Sequence, residues 1–205
     1  MKLHLQNPIA LERSFYARET TSVARDLIGK LLVSEADGRT KGRIVETEAY
    51  LPSHDSACHA AKHRTSRTEV MFGPAGFAYV YPIHAKFCFN IVTELEEHGC
   101  AVLIRAVEPV EGVDLMKYRR GLDDQRRLTT GPSCLCQAMN IDRSMNQLDL
   151  TLGTMVWIEE GIGLDDQEIT IKTSKRIGVT SATTRRLRYY VAGNRFVSGP
   201  VRLRT

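Results

Sequence analysis

Strand-like runs follow one another along this chain with turns, rather than helices, between most of them. Leu31–Val33, the alternating Gly42–Tyr50, Phe77–Ile83, Phe87–Val92, Ala101–Val107, Met155–Ile158, Ile169–Lys172 and Leu187–Val191 all read as strands. Helical spacing is confined to a stretch of about ten residues that Thr20–Ser22 can cap and that ends near Gly29, and to 109–120 and 132–140. Neighbouring parallel strands need long, usually helical, crossovers, and no regular strand–helix alternation is present. The expected fold is therefore α+β: a single domain over 1–205 with a mixed, largely antiparallel sheet and surrounding helices.

Ala36-Asp37-Gly38 reads as the hairpin turn between the first two strands. On the second of them Ile44, Glu46 and Glu48 are expected on one face, with the two carboxylates about 6–7 Å apart at Cα. Such a pair can act as acid and base or sit solvated, and Glu48, at the strand end beside Tyr50, is the stronger candidate. Residues 51–76 are polar and without period, a long loop of the kind that usually carries function. Tyr79 and Tyr81 share one side of a strand that Pro82 marks as an edge, and aromatic faces near a carboxylate can form a slot for a planar ring.

His54, Asp55, Cys58, His59 and His63 invite a metal reading, but their spacing matches no known ligand pattern, and a polar or stacking loop fits better. The five cysteines are odd in number and no secretory leader opens the chain, which points to a reduced compartment, cytoplasmic or nuclear. No apolar run reaches the ~18 residues of a membrane span.

Charge is unevenly placed. A net +4 arises from 28 Lys and Arg against 24 Asp and Glu, yet no acid follows Glu168. The last 37 residues carry nine cations, so the first 168 hold 19 cations against 24 anions. A basic C-terminal segment on an acidic body suggests a polyanion-facing surface, nucleic acid first.

One set of motifs goes further. The string Gly42-Arg-Ile-Val-Glu-Thr-Glu-Ala-Tyr50, His59 nine residues on, Met71-Phe72, Tyr79-Val-Tyr81, Asn90-Ile91, Val102-Leu-Ile-Arg-Ala-Val-Glu-Pro109, Gly131-Pro-Ser133 and Leu135-Cys-Gln-Ala138 resembles the alkyladenine (3-methyladenine) DNA glycosylase family, over about residues 15–200. The resemblance implies a curved sheet with a protruding DNA-inserting β-hairpin. It also implies excision of alkylated or deaminated purines (3-methyladenine, 7-methylguanine, hypoxanthine) from damaged double-stranded DNA by a monomer, with no cofactor, metal or membrane. Residue by residue it implies that Glu48 activates the attacking water and Arg105 helps to hold it. Tyr50, His59 and Tyr81 would wall the base pocket, and Asn90 would exclude the exocyclic amine of guanine.

The chain departs from the family pattern at the hairpin tip, where His84-Ala85-Lys86 stands in place of the usual Tyr-Gly, so His84 would be the intercalating wedge. Cys134 replaces a lysine common in the Gly-Pro-x-Lys-Leu-Cys-Gln string, and Thr68 an asparagine common before Met-Phe. These departures leave open an alternative, a catalytically weakened member that binds lesioned or ordinary duplex without cutting.

Overall fold

A computed structural model describes residues 10–83, 85–161 and 169–200. After the short helices α1 (Arg13–Tyr16) and α2 (Thr20–Asp26) come the strands β1 (Leu31–Ser34), β2 (Thr40–Tyr50), β3 (Ala78–Ile83), β4 (Lys86–Thr93) and β5 (Cys100–Glu111). The helices α3 (Val113–Arg120) and α4 (Pro132–Ala138) precede β6 (Val156–Glu159), β7 (Ile171–Ser174) and β8 (Arg188–Val191). All pairings are antiparallel, in the order β3-β4-β5-β2-β1-β6, with β8 on the far part of β2 and β7 on β8. The α+β expectation holds, as does the hairpin of β1 and β2.

The sheet forks along β2. Residues 40–43 pair with β1, residues 46–48 pair with β8, and the gap at Ile44 is closed by bonds to Gly29 and Lys30, each 2.8 Å. Irregularities fall on both sides of Glu46 in its pairing with β5. The register advances by Val45 on one strand and by Arg105 on the other, so each strand carries one extra residue. This overturns the expected common face. Ile44 packs into the large core, while Val45 joins a separate cluster with Ala106, Tyr190, Phe196 and Val197. Beyond the bulge Thr47 turns its hydroxyl to the Ala24 carbonyl of α2 (2.7 Å), and Glu46 and Glu48 face the other way.

Helices cover one face of the sheet. Leu32, Ile44, Phe89, Val102 and Ile104 are fully buried against Leu27, Met116 and Leu135 from the helical side. Each such side chain contributes about 1.5–3 kcal/mol by leaving water. The opposite face is covered by irregular chain. Cys58, Val70 and Met71 of the 51–76 loop pack on Tyr79, Val92 and Ala101. Between that cluster and the one around Tyr190 the sheet is left accessible.

Boundaries differ where backbone geometry intervenes. The α2 cap is the Glu19 carboxylate, which accepts from the Ser22 N–H at 2.7 Å, because Thr20 turns its hydroxyl to Thr93 and Glu94. The helix stops at Asp26, short of Gly29, whose N–H is taken by Ile44. Residues 109–111 extend β5 rather than start a helix, since Gly42 pairs with Pro109. The turn into α3 requires Gly112: it has φ +72, and a Cβ there would stand 2.4 Å from the Arg39 carbonyl oxygen. Pro82 lies on the edge strand β3, as expected. The inner part of that edge is covered by Asn146–Leu148, leaving Pro82 and Ile83 exposed.

Candidate active site

Strand alternation brings the site together. Side chains of Glu48 and Tyr50 on β2, Tyr79 and Tyr81 on β3, Cys88 and Asn90 on β4, and Leu103 and Arg105 on β5 come out on the same face. All but Glu48, which lies behind Tyr50 and Arg105, floor a cleft of about 620 Å³ bounded by the 56–71 loop on one side and residues 177–181 on the other.

At its deep end lie four charges with almost no solvent contact: Glu46, Glu48, Arg105 and Arg188. Glu46 Oε1 takes Arg188 Nε at 2.6 Å and Arg105 Nε at 3.3 Å, and its carboxylate also accepts from the N–H (2.6 Å) and hydroxyl (2.9 Å) of Ser198. Two carboxylates against two guanidinia leave the cluster balanced, which buried charges require. Glu46 is therefore a saturated structural anion. Glu48 is buried too, but each of its three partners, Tyr50, Arg105 and Ile177, lines the cleft.

Every partner of Glu48 is a donor. Its Oε2 accepts from the Tyr50 hydroxyl at 2.8 Å and from Arg105 Nη1 at 3.3 Å, and its Oε1 accepts from the Ile177 N–H at 2.8 Å. Burial, and then the Glu48 charge, push the ionisation of Tyr50 well up, so the phenol stays a donor. Burial works against the charge of Arg105, but the Glu48 and Glu46 carboxylates outweigh it and hold the guanidinium firmly protonated. The arrangement fixes an acceptor at the end of an aromatic slot.

That slot is built from ring contacts. His59 stands edge-on to Tyr81, with ring centroids 4.7 Å apart, and to Tyr79 at 6.0 Å; Tyr79 and Tyr81 are 5.3 Å apart. Burial and then the neighbouring Arg67 lower the His59 pKa from 6.5 to about 4, so the ring is neutral at ordinary pH. Asn90 donates through Nδ2 to the Tyr79 carbonyl at 3.0 Å, which fixes its amide at the cleft floor.

The expected residues Glu48, Arg105, Tyr50, His59, Tyr81 and Asn90 thus meet at one cleft; His84 lies outside the described residues. The metal reading fails on geometry. Asp55 is engaged by Arg176 through two bonds of 2.5 and 2.7 Å, and among the described residues no three His, Cys, Asp or Glu converge as ligands. The basic C-terminal segment also needs correction. Arg176 and Arg188 are buried against Asp55 and Glu46, so they do not face outward.

Sequence reasoning missed Arg67, Arg176, Ile177 and Ser198 in the site. Arg176 lies 4.5 Å over the Tyr50 ring, and Ile177 supplies a backbone group, for which a side-chain pattern carries no signal.

The sequence profile of the methylpurine-DNA glycosylases matches residues 14–195, nearly all of the described chain. The chain belongs to the methylpurine-DNA glycosylase family. A relative from Carboxydothermus hydrogenoformans is 44% identical over 92% of this chain and 98% of its own length. Another, from Methanoculleus marisnigri, is 45% identical over 93% of this chain and 99% of its own. A third, from Clostridium acetobutylicum, is 43% identical over 92% and 97%. All three are named provisionally as 3-methyladenine DNA glycosylases. The cleft is formed within the matched region, from residues 50 to 181.

Proposed function

We propose that this protein is a monofunctional DNA glycosylase that removes alkylated or deaminated purines from damaged duplex DNA as a monomer, without metal or cofactor. The observation that carries this reading is a buried carboxylate, Glu48, held by three donors at the closed end of an aromatic slot. A base inside a duplex is out of reach, so the damaged nucleotide is rotated out at a cost of a few kcal/mol. Stacking on Tyr50, His59 and Tyr81, at about 1–3 kcal/mol per base–ring contact, offsets that cost.

A water reaching Glu48 from the cleft gives up a proton to the carboxylate while its oxygen bonds to C1′. The N-glycosidic bond breaks with its electron pair moving to the purine. Arg105 holds the carboxylate from the cleft side, and Asn90, fixed at the floor, crowds the exocyclic amine and so disfavours undamaged guanine, whose glycosidic bond no alkylation has weakened. In the expected role, His84 fills the gap left in the helix.

The test is single-turnover excision from duplexes carrying hypoxanthine, 3-methyladenine or 7-methylguanine. Glu48→Gln is expected to lose at least about 10²-fold in rate, the usual worth of a general base, while lesion binding persists. Full activity in that variant would remove Glu48 from the mechanism. Tight lesion binding by the natural sequence with no abasic product would instead support the binding-only alternative.

A further inference from the structure

Among the described residues no Asp or Glu lines the cleft, although three cations do: Lys62, Arg67 and Arg105. Arg105 is neutralised by Glu46 and Glu48 beneath it. Arg67 is not. Its guanidinium meets only uncharged groups: Nη2 reaches His59 Nδ1 and Nε2 at 3.1 and 2.9 Å, Nε reaches the Tyr79 hydroxyl at 3.4 Å, and the group lies 5.3 Å over the Tyr81 ring. Among the described residues neither Arg67 nor Lys62 forms an ion pair. The wall of the base slot therefore carries positive charge that no described acid neutralises, held there by the same rings that stack the substrate.

Purine lesions divide by charge. Alkylation at N7 or N3 of the nucleoside makes the base a cation, whereas deamination of adenine to hypoxanthine leaves it neutral. A purine stacked on the Tyr81 ring at the usual 4.5–7 Å centroid separation lies at most about 12 Å from the guanidinium, which is itself 5.3 Å from that ring. A cationic purine is repelled at that distance. Cleavage leaves the same electron pair on either ring, so relative to free duplex the neutral lesion ends as an attracted, anion-like purine, whereas the cationic one only sheds its repulsion.

We infer that Arg67 is a specificity-determining residue, which biases excision toward neutral purine lesions and against cationic ones. This rests on the excision reading above. The bias is set against the intrinsic lability of cationic nucleosides, so it shows as a change in ratio and not as an absolute preference.

Hypoxanthine and 7-methylguanine share the 6-oxo edge and differ in charge, in the 7-methyl group and in the 2-amine that Asn90 faces; the last two differences are the same in every variant and cancel when their rate ratio is compared between variants. Single-turnover excision of both is measured over a range of enzyme concentrations for the natural sequence, Arg67→Gln and Arg67→Lys, and compared as the second-order rate constant, which counts from free duplex. Arg67 is exposed, and unchanged thermal melting checks that each variant is folded. Arg67→Gln is expected to raise the 7-methylguanine to hypoxanthine rate ratio about five- to twenty-fold, the Coulomb effect of one charge near 9 Å at an effective dielectric of about 20–40. Arg67→Lys, which keeps the charge, is expected to stay within about twofold of the natural ratio.

An unchanged or lower ratio in Arg67→Gln would overturn the inference, as would a lysine variant that shifts as far as glutamine. The natural sequence provides a second readout, since added salt screens the charge and is expected to raise the same ratio. Failure of the natural sequence to release either base would sink the glycosylase reading itself. Release of both bases with an unmoved ratio would sink only the role of Arg67.

Discussion

Glu46 and Glu48 are two residues apart on one strand, yet the structure gives them different work. The difference is made by partners remote in sequence. Arg188 and Ser198 saturate Glu46, while Glu48 receives Tyr50, Arg105 and Ile177 and stays next to the cleft. The sequence already favoured Glu48, for its place at the strand end; it could not show that Glu46 is closed off. At the same scale, His59 is kept neutral first by burial and then by the charge of Arg67.

An NMR titration of the His59 ring is expected to give a midpoint near 4. In Arg67→Gln the midpoint is expected to rise but to remain below 6.5, because burial persists. The sign for stability follows from the same shift. Between pH 6.5 and about 4 the unfolded chain takes up a proton that the folded ring refuses, so His59 lowers stability as pH falls through that window. A midpoint near 6.5 in the natural sequence would refute the neutral wall.

Elements show where the sequence was readable and where it was not. The strands, their largely antiparallel character and the edge position of Pro82 were visible because side-chain alternation and turn residues are local signals. The double bulge at Val45 and Arg105 was not, because it lies in the register between two strands and leaves no mark on either alone. The same holds for the strap over the site, in which Arg176 makes a buried bidentate pair with Asp55, bonds the Ala49 carbonyl at 2.9 Å and covers Tyr50. Its partner is 121 residues away. Read locally, Asp55 is one member of a polar loop and Arg176 a surface cation.

Removing one half of a buried pair strands the other charge, at about 3–5 kcal/mol. Asp55→Asn and Arg176→Met are each expected to lower Tm by about 6–20 °C. Both are also expected to slow excision, since residue 177 donates to Glu48. The double variant is expected to melt above either single one, and a double variant that melts at the sum of both losses would exclude the pairing. Burial raises the Asp55 carboxyl pKa, but the Arg176 contacts and the Leu51 and Ala57 N–H groups outweigh it and hold the value below the ordinary 3.8. The stabilisation is thus full above that value and is lost as pH falls below it, a loss that Asp55→Asn is expected to abolish.

For the whole molecule, the asymmetry between an acidic body and a basic C-terminal segment resolves into two kinds of cation. Arg176 and Arg188 are spent on buried acids, and Arg185 bonds the Ser53 and His54 carbonyls. Lys172, Lys175, Arg186 and Arg195 are exposed. Net charge cannot distinguish an arginine that anchors a loop from a lysine that meets phosphate, but salt dependence can. Each phosphate contact contributes about −0.9 to the slope of log K against log salt on duplex DNA. Lys175 is exposed and adjoins the segment that reaches the cleft at Ile177, and Lys62 lines the opposite wall. Replacing either with Gln is expected to weaken binding to lesioned and intact duplex alike and to flatten the slope by about 0.9. Arg176→Met is expected to leave the slope unchanged once measured below its lowered melting temperature, because a guanidinium buried against Asp55 releases no counterion. A slope that flattens equally in Arg176→Met and Lys175→Gln would mean that the buried arginine turns outward when DNA binds.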